Sequence, residues 1–130
     1  MSSDDQTDLT AIAPDVLDWT KAYAQVDNSP TAAVKLIELM LVECPKLMTR
    51  ISDAIANTNA AELKRAAHTL KGSSDIFAAQ LVYEAASKLE VLGRDEDWTA
   101  VPDAFKTLDH ESNRFVETLT RIIDVLRQMD

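Results

Sequence analysis

Apolar residues recur every three or four positions along most of this 130-residue chain, with polar residues between them. That spacing is the helical period. Val16, Leu17, Trp19, Ala22, Tyr23 and Val26 predict a short first helix from Pro14 to about Val26, broken by Asp27-Asn28-Ser29. Ser29 as N-cap and Pro30 at the first helical position open a second helix. Its stripe of Val34, Ile37, Leu41, Met48, Ile51 and Ile55 runs to about Asn57, with a kink expected at Pro45. Asn59 followed by Glu62 three residues on is a capping signature, and it starts a third helix reaching about Phe77. A fourth covers about Ala79 to Leu92, with Gly93 placed as its C-terminal cap. After Arg94-Asp95-Glu96-Asp97, a last long helix runs from about Trp98 or Pro102 to Met129. Phe105, Leu108, Phe115, Leu119, Ile122, Val125 and Leu126 form its stripe.

Long amphipathic helices on short links predict an all-α, antiparallel up-down four-helix bundle. The short first helix is expected to lie across one end as a cover. Residues 1–13, polar and then weakly apolar, are expected to be a flexible tail or linker, and 14–130 one bundle domain.

Composition narrows the function. Two glycines, Gly72 and Gly93, are too few for a glycine-rich phosphate cradle or a dinucleotide fingerprint. They also imply few tight turns. A net charge of −9 repels a nucleic-acid backbone and an anionic membrane surface. No apolar run approaches the roughly 18–20 residues that span a bilayer. The start of the chain lacks the pattern of a signal peptide. A lone cysteine, Cys44, is expected to be packed in the core and leaves no internal disulfide. These features fit a cytoplasmic protein.

One run does not fit a purely structural helix: His68-Thr69-Leu70-Lys71-Gly72-Ser73-Ser74. Glycine inside a helix costs about 0.5–1 kcal/mol relative to alanine. Leu63, Ala66, Ala67, Leu70, Ser74 and Phe77 share one arc of the third helix, which must face the core. His68 lies roughly 140° from Leu63, with Lys64, Lys71, Gly72 and Asp75 on the same outer side. If the third and fourth helices form a hairpin about Ala79, Glu90 stands level with His68. It can then accept a hydrogen bond from one ring nitrogen and leave the other free as a nucleophile. An outward imidazole, an orienting carboxylate, a nearby cation and cleared space describe a histidine that takes and gives a phosphoryl group. Such transfer rests on alignment and charge neutralisation. No cofactor is expected on this chain, because a Mg²⁺ site and an acceptor aspartate would belong to the partner.

Ala66-Ala67-His68-Thr69-Leu70-Lys71-Gly72-Ser73-Ser74 resembles the signature of histidine-containing phosphotransfer (HPt) domains. Glu43-Cys44-Pro45, Leu89-Glu90 and Leu92-Gly93-Arg94 resemble further family segments. Asp18-Trp19 resembles the entry helix of modules that end hybrid sensor histidine kinases. The resemblance implies a four-helix bundle with a covering N-terminal helix. It also implies that His68 exchanges a phosphoryl group with receiver-domain aspartates, with Lys71 as charge partner, Gly72 as clearance and Glu90 orienting the ring. The implied partners are response-regulator receiver domains and a sensor histidine kinase, met by a monomeric domain that is a phosphocarrier rather than an enzyme. Asp75-Ile76 departs from the small or neutral residues usual after the signature. Asp75 either repels the phosphoryl group or weakens docking with an acidic receiver, or pairs with Lys71, or selects a receiver with a matching basic residue.

His110 is expected to be a solvated surface residue, and two separated histidines give no metal-ligand spacing, so no metal site is expected. Lys64, Arg65, Asp75, Phe77 and Met40 are the candidate receiver-docking residues, with Leu36 and Leu39 ambiguous between core and edge. Two rival readings remain. One is an adaptor bundle that docks without being phosphorylated. The other is a phosphatase, for which only Glu90 and Asp75 offer a water-activating group.

Overall fold

A computed structural model describes residues 9–129. Its elements are α1 (Trp19–Ala24), α2 (Pro30–Ala56), α3 (Ala60–Ile76), α4 (Gln80–Asp95), a 3₁₀ turn (Trp98–Ala100) and α5 (Val101–Gln128). The described residues contain no strand. The four long helices pack as a closed ring of antiparallel neighbours: α2 on α3, α3 on α4, α4 on α5 and α5 back on α2. This is the helical bundle that the apolar spacing predicts.

The helix starts follow the local chemistry. Ala32 N–H donates to Ser29 Oγ at 3.2 Å, and Glu62 N–H donates to Asn59 Oδ1 at 3.1 Å. Each satisfies a backbone donor that the first turn leaves open. α2 runs continuously through Pro45.

Three differences from the sequence reading have physical causes. First, the covering helix is shorter than Pro14–Val26. Asp18 caps it, accepting from Lys21 N–H at 3.3 Å, so the covering helix starts at Trp19. The Asp18 N–H also donates to Ala78 C=O, and Arg114 bonds both Asp15 and Glu111. These bonds tie the cover to the α3–α4 link and to α5. Second, the expected tail is partly core. Leu9 is fully buried, and Ile12 and Ala13 pack on the core. Residues 1–8 of that segment lie outside the described residues. Third, α4 does not stop at Gly93. It runs on to Asp95, and Glu96 takes the left-handed conformation at φ 52°. The tight links at Thr58 and Ala78 also use left-handed residues other than glycine. Glycine count therefore understated how sharply this chain turns. The residue after each of these left-handed positions donates back to the preceding helix: Asn59 N–H to Ala54 C=O, Ala79 N–H to Ser74 C=O and Asp97 N–H to Leu92 C=O. These bonds hold the strained residue in place.

The core is continuous and centres on Phe77 and Phe115, packed edge to face at 5.6 Å. Cys44 is buried in it, and burial pushes its thiol up to about 11, which keeps it in the unreactive protonated form.

The α3–α4 contact, the most extensive in the bundle, holds the site. Ala60, Ala67 and Ser74 recur every seven residues on α3, and Ala79 at the N-cap of α4, Ala86 and Gly93 repeat the spacing. Residues at this spacing stay on one side of a helix. The seam closes at both ends: Ala79 N–H donates to Ser74 C=O at 3.1 Å, and Gly93 lies against the backbone of Ala60 and Lys64. Fully buried Ala67 and Ala86 occupy the register between them.

Candidate functional site

The buried face of α3 comprises Leu63, Ala66, Ala67, Leu70 and Ser74, with Phe77 at its C-cap, as the helical arc predicts. His68 therefore points outward, and its side chain is 66% exposed. Glu90 approaches from α4. Its side chain is only 18% exposed, so it is the more buried member of the pair.

His68 Nδ1 is 2.7 Å from Glu90 Oε2. Lys71 Nζ donates to Glu90 Oε1 at 2.6 Å. One carboxylate thus bridges the histidine and the lysine. The hydrogen bond from Lys71, opposed by partial burial and supported by the one from His68, holds the Glu90 carboxyl below its usual range. The same pairing raises Lys71. An ionised carboxylate only accepts hydrogen bonds, so Nδ1 must carry the proton. In the neutral ring Nε2 then keeps its lone pair, on the side away from Glu90. A nucleophile directed at solvent follows from this geometry.

Gly72 lies one turn beyond His68 on the same outer face. A Cβ there meets no neighbouring atom within 4 Å, so nothing among the described residues requires the glycine. Toward the other end of α3, a groove of about 420 Å³ is lined by Ala61, Lys64, Arg65, His68 and Glu90. Arg65 is held by Glu62, which also pairs with Arg50 on α2. Lys64 has no ion pair among the described residues and is the more available cation beside the ring.

The structure brings together His68, Lys71, Glu90, Lys64 and Arg65, with Gly72 open above them. It corrects the other candidates. Phe77 is 1% exposed and Met40 4%, so neither is a docking residue; both turn inward because they belong to the core stripes of their helices. Asp75 is exposed on the histidine face, but Lys71 pairs with Glu90 rather than with Asp75. Exposed apolar side chains include Leu39 (58%) and Ile76 (42%). Counted from the α2–α3 link at Thr58, they stand at nearly the same level of the bundle. Ile76 was legible as a docking candidate, since it falls outside the core arc of α3. Tyr83 also went unnoticed in the sequence. Its ring lies 6.0 Å from Lys71 Nζ, and its place seven residues before Glu90 puts both on the α3-facing side of α4.

His110 is exposed. Among the described residues no group of three or more His, Cys, Asp or Glu side chains is placed to hold a metal ion. None of the described helices is long and apolar enough to cross a membrane. A family model described as the Hpt domain matches residues 35–128. No curated protein and no solved structure matches the chain.

Proposed function

The chain belongs to the Hpt domain family, whose members carry phosphoryl groups on histidine in phosphorelays, and from that premise we propose that His68 Nε2 is the acceptor atom here. The observation that carries the reading is the bond between Nδ1 and Glu90, which in the neutral form of the exposed ring puts the lone pair on Nε2.

The step balances within two proteins. Nε2 attacks the phosphorus of a receiver's aspartyl phosphate. The N–P bond forms, the P–O bond to the aspartate breaks, and the receiver recovers its carboxylate. The Nδ1 proton stays in place, so the ring becomes cationic, and Glu90 lies against that charge. The reverse step hands the group to another receiver. The Mg²⁺ that such transfer uses belongs on the receiver's acidic site. Lys64 and Arg65 form a basic rim on a chain of net charge −9 and suit that acidic partner. Leu39 and Ile76 supply an apolar contact. Ile76 is eight residues from His68, about 12 Å along the helix, a reach suited to a small, transient interface.

The phosphatase reading loses support from the same carboxylate. Glu90 is held to Lys71 and His68 with its proton affinity lowered, which makes it a weak base for activating water.

The test is to incubate the chain with a phosphorylated receiver domain and locate the label. Acid-labile, alkali-stable phosphate on His68 is the expected result. Docking without transfer would contradict the proposal and favour an adaptor. Glu90→Ala probes the orienting bond. Transfer is expected to slow about tenfold, a loss of roughly 1.4 kcal/mol in the transition state, with helix content unchanged by circular dichroism. An unchanged rate would remove Glu90 from the mechanism.

A further inference from the structure

Gly93 sits where a helix does not need a glycine. It is buried inside α4, two residues short of the helix end. Its φ is not positive, so conformational freedom does not explain it. What distinguishes the position is its surroundings. A Cβ there would lie 3.0 Å from Lys64 N, 3.2 Å from Ala60 O and 3.3 Å from Lys64 Cα. All three atoms are backbone, and in an α-helix the first two are bonded to each other. Gly93 thus rests directly on the first turn of α3, and no side-chain rotation can make room for a methyl group.

This contact is one turn from the site on both helices. Glu90 precedes Gly93 by three residues, and Lys64 precedes His68 by four, so each pair shares a face. The small-residue seam of α3 and α4 continues past the site through Ala67 and Ala86 to Ser74 and Ala79. At Gly93 the two backbones are in direct contact. A glutamate reaching across to the neighbouring helix meets Nδ1 at 2.7 Å and Lys71 at 2.6 Å only while the two backbones stay this close. A few tenths of an ångström of separation would stretch both short bonds to about 3.0 Å, past the roughly 2.7–2.9 Å usual for charge-assisted pairs, and loosen the hold of Glu90 on the ring.

From this we infer that Gly93 is a positioning residue: its lack of a side chain sets the α3–α4 spacing at which Glu90 fixes the His68 ring with Nδ1 protonated and Nε2 free. The inference rests on the role proposed for His68, but its first readout does not. In Gly93→Ala the methyl group pushes α4 off the first turn of α3. Nitrogen NMR of the imidazole reports the consequence. An isolated neutral imidazole side chain favours the Nε2–H form, whereas the wild-type ring is expected to hold mainly the Nδ1–H form. Gly93→Ala is expected to move the ring measurably back toward Nε2–H, with the helical content of the wild type. A tautomer balance identical to wild type overturns the inference, whether or not the chain transfers phosphate. A variant that does not fold assigns Gly93 to stability alone and overturns it as well.

The second readout is transfer from a phosphorylated receiver domain. Gly93→Ala is expected to slow it about fivefold, since small misplacements of reacting groups are costly. Because the effect acts through Glu90, the same substitution in a Glu90→Ala background is expected to add nothing. Full additivity of the two substitutions rejects the link between Gly93 and Glu90. Absence of transfer in the wild type would instead reject the proposed function and leave the tautomer result standing.

Discussion

His68→Gln is expected to abolish phosphoryl acceptance and leave the bundle intact. The side chain is two-thirds exposed, and its bond within the chain is to Glu90, which keeps Lys71 as a partner. Glutamine is a good helix former, so the substitution belongs with surface changes worth within about 0.5 kcal/mol of wild type. The amide nitrogen of glutamine has no available lone pair, because it is delocalised into the carbonyl. Thermal melting and label transfer from a phosphorylated receiver, run on the same preparation, separate the two effects. A matched melting temperature with no label is the expected pair of results. Label that survives the substitution would place the acceptor elsewhere, with His110, the second histidine of the chain, as the first position to examine.

Gly72→Leu is expected to make the protein more stable and much less active. A Cβ at Gly72 meets no neighbouring atom of the described residues within 4 Å, so the fold has room for a side chain to start there. Exchanging an exposed mid-helix glycine for a strong helix former gains about 0.5–1 kcal/mol. A side chain on a helix leans toward the N-terminus, which from position 72 carries it over His68. The leucine then occupies the path along which an aspartyl phosphate approaches Nε2. Transfer is expected to fall about a hundredfold, the scale on which misplacing reacting groups by an ångström acts. Denaturant titration and transfer rates measure the two directions. A more stable variant with unchanged transfer would show that Gly72 clears nothing.

Much of this arrangement is legible in the chain before any coordinates. The caps at Ser29 and Asn59 are local bonds, and local bonds are written in local sequence. The level of Glu90 with His68 follows from counting along two helices about one link, because antiparallel helices of equal rise stay in register. What the sequence hides is set between helices. Gly93 reads as a helix cap because a glycine after an apolar stripe commonly is one; only the backbone of Ala60 and Lys64 lying against it reveals a packing role. Lys71 is visible as a cation near His68, but its choice of Glu90 over Asp75 depends on which way the α3 and α4 faces turn. Met40 and Phe77 are apolar residues near the histidine in sequence or level, and only the packing of their helices shows that both belong to the core. Leu9 looks like part of a tail since no helical period surrounds it, yet it is fully buried.

The central claim is that Glu90 holds the proton on Nδ1 and so directs chemistry to the other ring nitrogen. Its most direct test is the identity of the phosphohistidine formed. Phosphorus and nitrogen NMR of the chain, phosphorylated by a receiver domain, distinguishes the two isomers. Phosphate bonded to Nε2 of His68, with the proton retained on Nδ1, is the result expected. Phosphate on Nδ1 would contradict the account, since that nitrogen could bond phosphorus only after breaking from Glu90.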